Sequence, residues 1–214
     1  MPAPLSRSRN LSKDTLVQSA ITLMETAGEA GFSLRKLGEQ VGCDPMAVLY
    51  HFKSKEGLLR AMADSLTASL ESVDDTLPWR DRLYGLAAQY RQLALQHPHT
   101  FRQMQRFLNT GSADQHVIEM VYRALHDAGL SEQDTPAASV GWYATVYGLI
   151  LGEIGGLIRP ATPAEITELE QRPGDDLPLL RQILPRFLDL NTEDVFKMMM
   201  EVVHEGLARR SSHT

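Results

Sequence analysis

Between Ser33 and Lys55 the chain reads Ser-Leu-Arg-Lys-Leu-Gly-Glu-Gln-Val-Gly-Cys-Asp-Pro-Met-Ala-Val-Leu-Tyr-His-Phe-Lys-Ser-Lys, and few folds accommodate that order. Ser33 suits the N-cap of a short helix and Gly42 its stop. Asp44 then caps a second short helix, with Pro45 at its first position, where a missing N–H costs nothing. Leu34, Leu37, Val41, Val48 and Phe52 fall where the two helices would pack together. The segment is therefore predicted to be a helix-turn-helix. In that motif the second helix enters the DNA major groove, about 12 Å wide, while the first crosses the backbone. Pro45, Met46, Ala47, Leu49, Tyr50 and His51 are left to face the groove. Ser33, Arg35 and Lys36 open the first helix, placed for phosphate or base contact. Lys53 and Lys55 precede the next helix, whose N-terminal N–H groups can also hold a phosphate. Met46 and Ala47 offer apolar contacts alone, such as with thymine methyls.

The rest of the chain reads as all-α. Ser12 can cap a first helix to about Thr26, closed by Gly28 and Gly31, and Ser54 a fourth through about Ser72. Further helices are expected over Trp79–Gln96, Thr100–Leu108, Ala113–Ala128, Thr135–Ile158, Pro163–Gln171, Leu177–Leu188 and Thr192–Ala208. Pro- and Gly-bearing breakers separate them, and the loop around 172–176 is expected to be mobile. The expected organisation is a flexible basic arm (1–11), a helix-turn-helix domain (12–55) and a helical effector-binding and dimerisation domain (56–214).

Charge is unevenly spread. Residues 1–60 hold eight Lys and Arg against six Asp and Glu; the whole chain is at −6, so the remainder carries −8. A mildly basic head on an acidic body suits local phosphate attraction, since exposed charges are screened beyond about 8 Å at physiological salt. Cys43 is the sole cysteine of the sequence, which excludes an intrachain disulfide and suits a reducing cytoplasm. Val140–Ile158 is apolar, but Glu153 and five glycines argue for a helix buried in protein rather than a membrane span.

Leu34-Arg-Lys-Leu, Val41-Gly and Leu49-Tyr-His-Phe-Lys-Ser-Lys-Glu-Gly-Leu-Leu59 resemble the N-terminal domain of the TetR family of bacterial transcriptional regulators. Trp79, its spacing to Tyr90, and Asp176-Leu-Pro-Leu-Leu-Arg-Gln182 are similar to the C-terminal domain of the tetracycline-repressor subgroup. The resemblance implies DNA binding by the first three helices, with the fourth linking them to a ligand-binding body. It also implies a homodimer joined by a four-helix bundle, here Thr135–Ile158 and Thr192–Ala208 of each subunit. The drug–magnesium chelate of those repressors does not carry over. Their His position falls near Met104, their Glu position at Gly156 and their drug-binding Asn position near Leu86.

The expected partners are a double-stranded DNA operator, a small-molecule effector and a second copy of the chain, with no membrane, metal or cofactor. Tyr84, Tyr90, Phe107, Tyr122, Trp142, Tyr143 and Tyr147 are the candidate effector contacts, since aromatic side chains line ligand pockets. His97 and His99 read as a loop cap rather than a metal pair, and Met198–Met200 as dimer core. Gly-x-Ser-x-Gly, P-loop, Gly-x-Gly-x-x-Gly and His-Glu-x-x-His patterns are absent from the sequence. The leading expectation is a ligand-released repressor in the cytoplasm. Its alternatives are a helical small-molecule-binding protein or small enzyme with a non-functional helix-turn-helix, and a constitutive DNA-binding protein.

Overall fold

Several helix starts in this chain are set by side-chain caps. Ser12, Ser33, Asp44, Ser54 and Thr162 each accept a backbone N–H from the first turn they precede. The computed structural model describes residues 12–107, 109–171 and 177–211. Among these, the elements are α1 (Lys13–Gly31), α2 (Leu34–Val41), α3 (Pro45–Phe52), α4 (Lys55–Thr67), α5 (Trp79–Gln96), α6 (Pro98–Met104), α7 (Ser112–Asp127), α8 (Thr135–Ile154), α9 (Pro163–Glu170), α10 (Pro178–Ile183), a 3-10 helix (Leu184–Asp189) and α11 (Thr192–Ser211). The described chain is all-α. The basic arm at 1–11, the loop at 172–176 and the expected helix end at Leu108 lie outside the described residues.

Several expected boundaries move. Helical geometry breaks at Gly28, whose φ is 67°, yet the element runs on to Gly31 across that kink. The fourth helix stops at Thr67 rather than Ser72, because Ser69 turns its hydroxyl onto the Leu66 carbonyl and Glu71 gives its N–H to Gln89. The sixth starts at Pro98 and ends at Met104. The expected Leu177–Leu188 helix divides into α10 and the 3-10 turn, since Pro185 has no N–H to continue an α ladder. The α8 helix ends at Ile154, where the N–H groups of Leu157 and Ile158 both turn back to the Gly152 carbonyl.

The chain forms two compact units, Met1–Ala124 and Leu125–Thr214. In the first, α1, α4 and α6 pack on one another, α3 packs between α2 and α4, and α5 covers α6. Leu16, Met24, Leu37, Val48, Leu58, Met62, Leu86, Tyr90 and Phe101 are buried there. In the second, α8 packs on α11 and α9 on the 3-10 helix. The Ala161 N–H also donates to the Phe187 carbonyl at 2.8 Å.

Arg159 grips Glu165 through two guanidinium N–H groups, and Thr162 completes a capping box with the same carboxylate. These bonds hold the Glu165 carboxyl at about 2, below its ordinary 4.5, with Arg159 the largest cause and the Thr162 backbone N–H the next. A carboxylate held low stabilises the fold above its ordinary value, and that support is lost as pH falls toward about 2. Side-chain NMR of Glu165 is expected to show its midpoint well below 4.5, and Arg159→Ala to return it toward that value.

Candidate nucleic-acid interface and effector residues

The helix-turn-helix is built by its short-range chemistry. Gly42 ends α2 in the left-handed region, at φ 72°, with its N–H on the Gly38 carbonyl. Asp44 then accepts the Met46 N–H at 2.7 Å and fixes where α3 begins. Leu37 and Val48 are fully buried between the helices. Leu34, Val41 and Phe52, expected to pack with them, are half-buried.

The surface left on α3 is apolar and open. Met46 is 67% exposed and Tyr50 76%. Ala47 is exposed as well, whereas Pro45, Leu49 and His51 are half-buried. Lys53 closes α3 with a positive φ of 66°. Its ammonium donates to the Tyr50 carbonyl at 3.2 Å and lies 5.3 Å from the Tyr50 ring centroid. Lys55 sits 5.5 Å over the Phe32 ring. Ser33 is committed to capping α2 through the Lys36 N–H, and Arg35 and Lys36 stand exposed on that first turn. Arg35 lies 3.7 Å from Glu39, an exposed pair that a phosphate can displace. Burial first, and then the Asp44 carboxylate, push the Cys43 thiol up. The thiolate needed for redox chemistry is thereby disfavoured.

Three acidic side chains that the sequence did not single out tie α1 and α4 to the chain that follows α5. Glu25 of α1 accepts the N–H groups of His99 (3.1 Å) and Thr100 (2.7 Å), so it caps α6 from another helix. Glu29 lies 3.9 Å from Arg106. Asp64 of α4 accepts from the Ala113 and Asp114 N–H groups and the Thr110 hydroxyl. Arg60 adds a hydrogen bond to the Asn109 carbonyl and stacks 4.7 Å from the Phe107 ring centroid. His97 and His99 thus sit at a capped helix start, and no group of three or more metal-ligating side chains occurs among the described residues.

The effector candidates fall into separate groups. In the first unit Tyr90 is buried with its ring 6.5 Å from Phe101, Tyr84 and Phe107 are half-buried, and Tyr122 is exposed. Leu86 and Met104 are core residues. In the second unit α8 stacks Trp142, Tyr143 and Tyr147 in sequence, with centroids 4.9 and 6.4 Å apart. Trp142 is buried and its indole N–H has no hydrogen-bond partner among the described residues.

The outer stripe of α8 is Pro136, Ala137, Val140, Gly141, Ala144 and Gly148, all exposed, small or apolar, and without charge. On α11 Met198 and Val202 are exposed one turn apart, whereas Met200 is buried. The Met198–Met200 run therefore divides between the inside of the unit and its surface. No helix of the described residues is long and apolar enough to cross a membrane.

A capped helix-turn-helix with an open second helix, followed by an all-helical body, defines a DNA-binding transcription regulator. Residues 16–62 match the family described as bacterial regulatory proteins, tetR family, and residues 73–211 match the tetracyclin repressor-like C-terminal domain. The chain belongs to the TetR family. It is 28% identical over 214 residues to the class A tetracycline repressor protein from transposon 1721 of Escherichia coli, covering 94% of this chain and 92% of the relative. Its fold matches ActR of Streptomyces coelicolor in complex with actinorhodin (TM-score 0.83, 17% identity, 94% and 98% of the two chains). It also matches Mycobacterium smegmatis BioQ with its natural double-stranded DNA operator (TM-score 0.68, 21% identity, 94% and 99% covered).

Proposed function

We propose that this chain is a ligand-released repressor, acting in the cytoplasm as a homodimer on a near-palindromic operator. Residues 12–55 serve as the DNA-binding head, 1–11 as a basic arm, and 56–214 as the effector and dimerisation body. The observation that carries the reading is the open face of α3, on which Met46 and Tyr50 stand exposed beside Lys53. Arg35, Lys36, Tyr50, His51, Lys53 and Lys55 contact phosphates or base edges. The uncharged outer stripe of α8 and the exposed Met198 and Val202 of α11 supply the faces for a bundle between two copies. The binding of an operator by BioQ and of actinorhodin by ActR supports the two-ligand scheme.

Effector binding falls foremost to Trp142, Tyr143 and Tyr147 of α8. The unpartnered Trp142 indole N–H is a donor that a polar ligand group would satisfy. Buried Leu86 and Met104 supply none of the polar ligation a drug–magnesium chelate needs, so the effector differs from tetracycline. Such a ligand empties the operator only by its difference in affinity for the two head arrangements.

Fluorescence anisotropy with the DNA upstream of the chain's own gene tests the reading at two salt concentrations. Wild-type affinity is expected to fall steeply as salt rises. Tyr50→Ala and Arg35→Ala should weaken binding. Lys55→Ala should reduce the salt slope by about one per protomer, hence about two for the dimer. Salt-independent binding with no preference over scrambled DNA would overturn the reading in favour of a helical ligand-binding protein.

A further inference from the structure

We propose that this chain reads its operator through thymine methyl groups, with Met46 as the side chain that meets them. The inference rests on the DNA-binding function proposed above and names what the head recognises.

Base edges are met by the N-terminal residues of a recognition helix. Here that turn is Pro45, Met46 and Ala47, whose side chains carry neither a hydrogen-bond donor nor a strong acceptor. The two polar side chains of α3, Tyr50 and His51, lie in its last turn rather than its first, with the Lys53 ammonium over the Tyr50 ring. Asp44 is committed as the cap of the helix, through the Met46 N–H. The first turn of α3 therefore cannot read guanine O6, adenine N6 or cytosine N4 with its side chains.

One apolar feature distinguishes the four bases in the major groove, the C5-methyl of thymine. Met46 is the matching probe. It is 67% exposed at the second position of α3, and its backbone is pinned by Asp44. Its unbranched thioether can settle against a methyl without demanding one rotamer. Ala47 beside it is small enough to let the helix approach the base edges closely. Polar discrimination is left to Arg35 and Lys36 on α2.

The test starts from duplexes that the full-length protein selects from a random library. The tightest duplex is remade with deoxyuridine in place of thymidine at one position at a time, and binding is followed by anisotropy. At one or two positions in each half-site, loss of the methyl is expected to weaken wild-type binding about fourfold, the factor that burial of one methyl-sized group supplies. Met46→Ala should bind the thymine duplex about fourfold more weakly per half-site and no longer distinguish uracil from thymine there. Met46→Leu should keep the discrimination. Met46 is exposed, so neither change threatens folding. Selective, salt-sensitive binding that ignores uracil everywhere, or thymine preference surviving in Met46→Ala, would overturn the methyl reading and leave the DNA-binding function standing. Failure to select any duplex above scrambled DNA would overturn both.

Discussion

Gly57→Ala is expected to destabilise the fold by about 3 kcal/mol, the upper end for overpacking, although alanine is the better helix former by about 1 kcal/mol. The sign is decided by space. Gly57 lies in the first turn of α4, and a Cβ there would sit far inside contact distance of the Phe52 carbonyl oxygen. That oxygen belongs to the last turn of α3, so relief requires moving backbone rather than the end of a flexible side chain. The same residue gives its N–H to the Ser54 hydroxyl at 2.9 Å. The clash therefore falls on the junction that sets α3 against α4. A thermal melt should show Tm lower by about 6–12 °C for a chain of this size. Ser54→Ala, which removes the cap and leaves the space open, should cost about 1 kcal/mol. If Gly57→Ala melts no lower than Ser54→Ala, the junction has slack that the close approach denies. Below its melt, Gly57→Ala should also bind operator more weakly than wild type, because α3 can no longer sit at its native angle on α4.

The head was legible because its determinants are local. Ser33, Gly42, Asp44, Pro45 and Ser54 act on backbone groups within three or four residues, so their positions specify α2, α3 and the start of α4 without any tertiary contact. Boundaries slipped where partners are distant. Nothing near Thr67 announces that Glu71 and Gln89 will bond each other across 18 residues and draw the chain out of helix. The ties from Glu25 to α6 span 74 and 75 residues and those from Asp64 to α7 span 49 and 50, and in sequence each is an ordinary acidic position on a helix. Effector contacts were the least legible. An aromatic side chain on a helix has the same spacing whether it packs the core, as Tyr90 does, or stands exposed, as Tyr122 does.

Asp64→Ala is expected to cost about 2 kcal/mol, lowering Tm by about 4–8 °C, because the change strands donors rather than merely removing a contact. The Ala113 and Asp114 N–H groups are in the first turn of α7, where no intrahelical acceptor exists for them. Asp64 supplies that acceptor from α4, at 3.2 and 3.3 Å. These are long hydrogen bonds, which keeps the expected loss below the 3 kcal/mol that charge-assisted bonds reach. Asp64→Asn retains an oxygen of the same reach and should recover about half of the loss. Asp114 provides a readout that a simple packing defect would not move. Burial chiefly, with the Asp64 charge adding to it, holds the Asp114 carboxyl above its ordinary range, while the Thr110 N–H pulls the other way. A carboxyl held high costs the fold stability above its folded pKa, and the cost is relieved as pH falls through it. With Asp64 gone, Asp114 should titrate at a lower pH by NMR, and the first amides of α7 should exchange faster with solvent. An unmoved Asp114 titration together with an unchanged melt would show that α4 does not hold the first turn of α7.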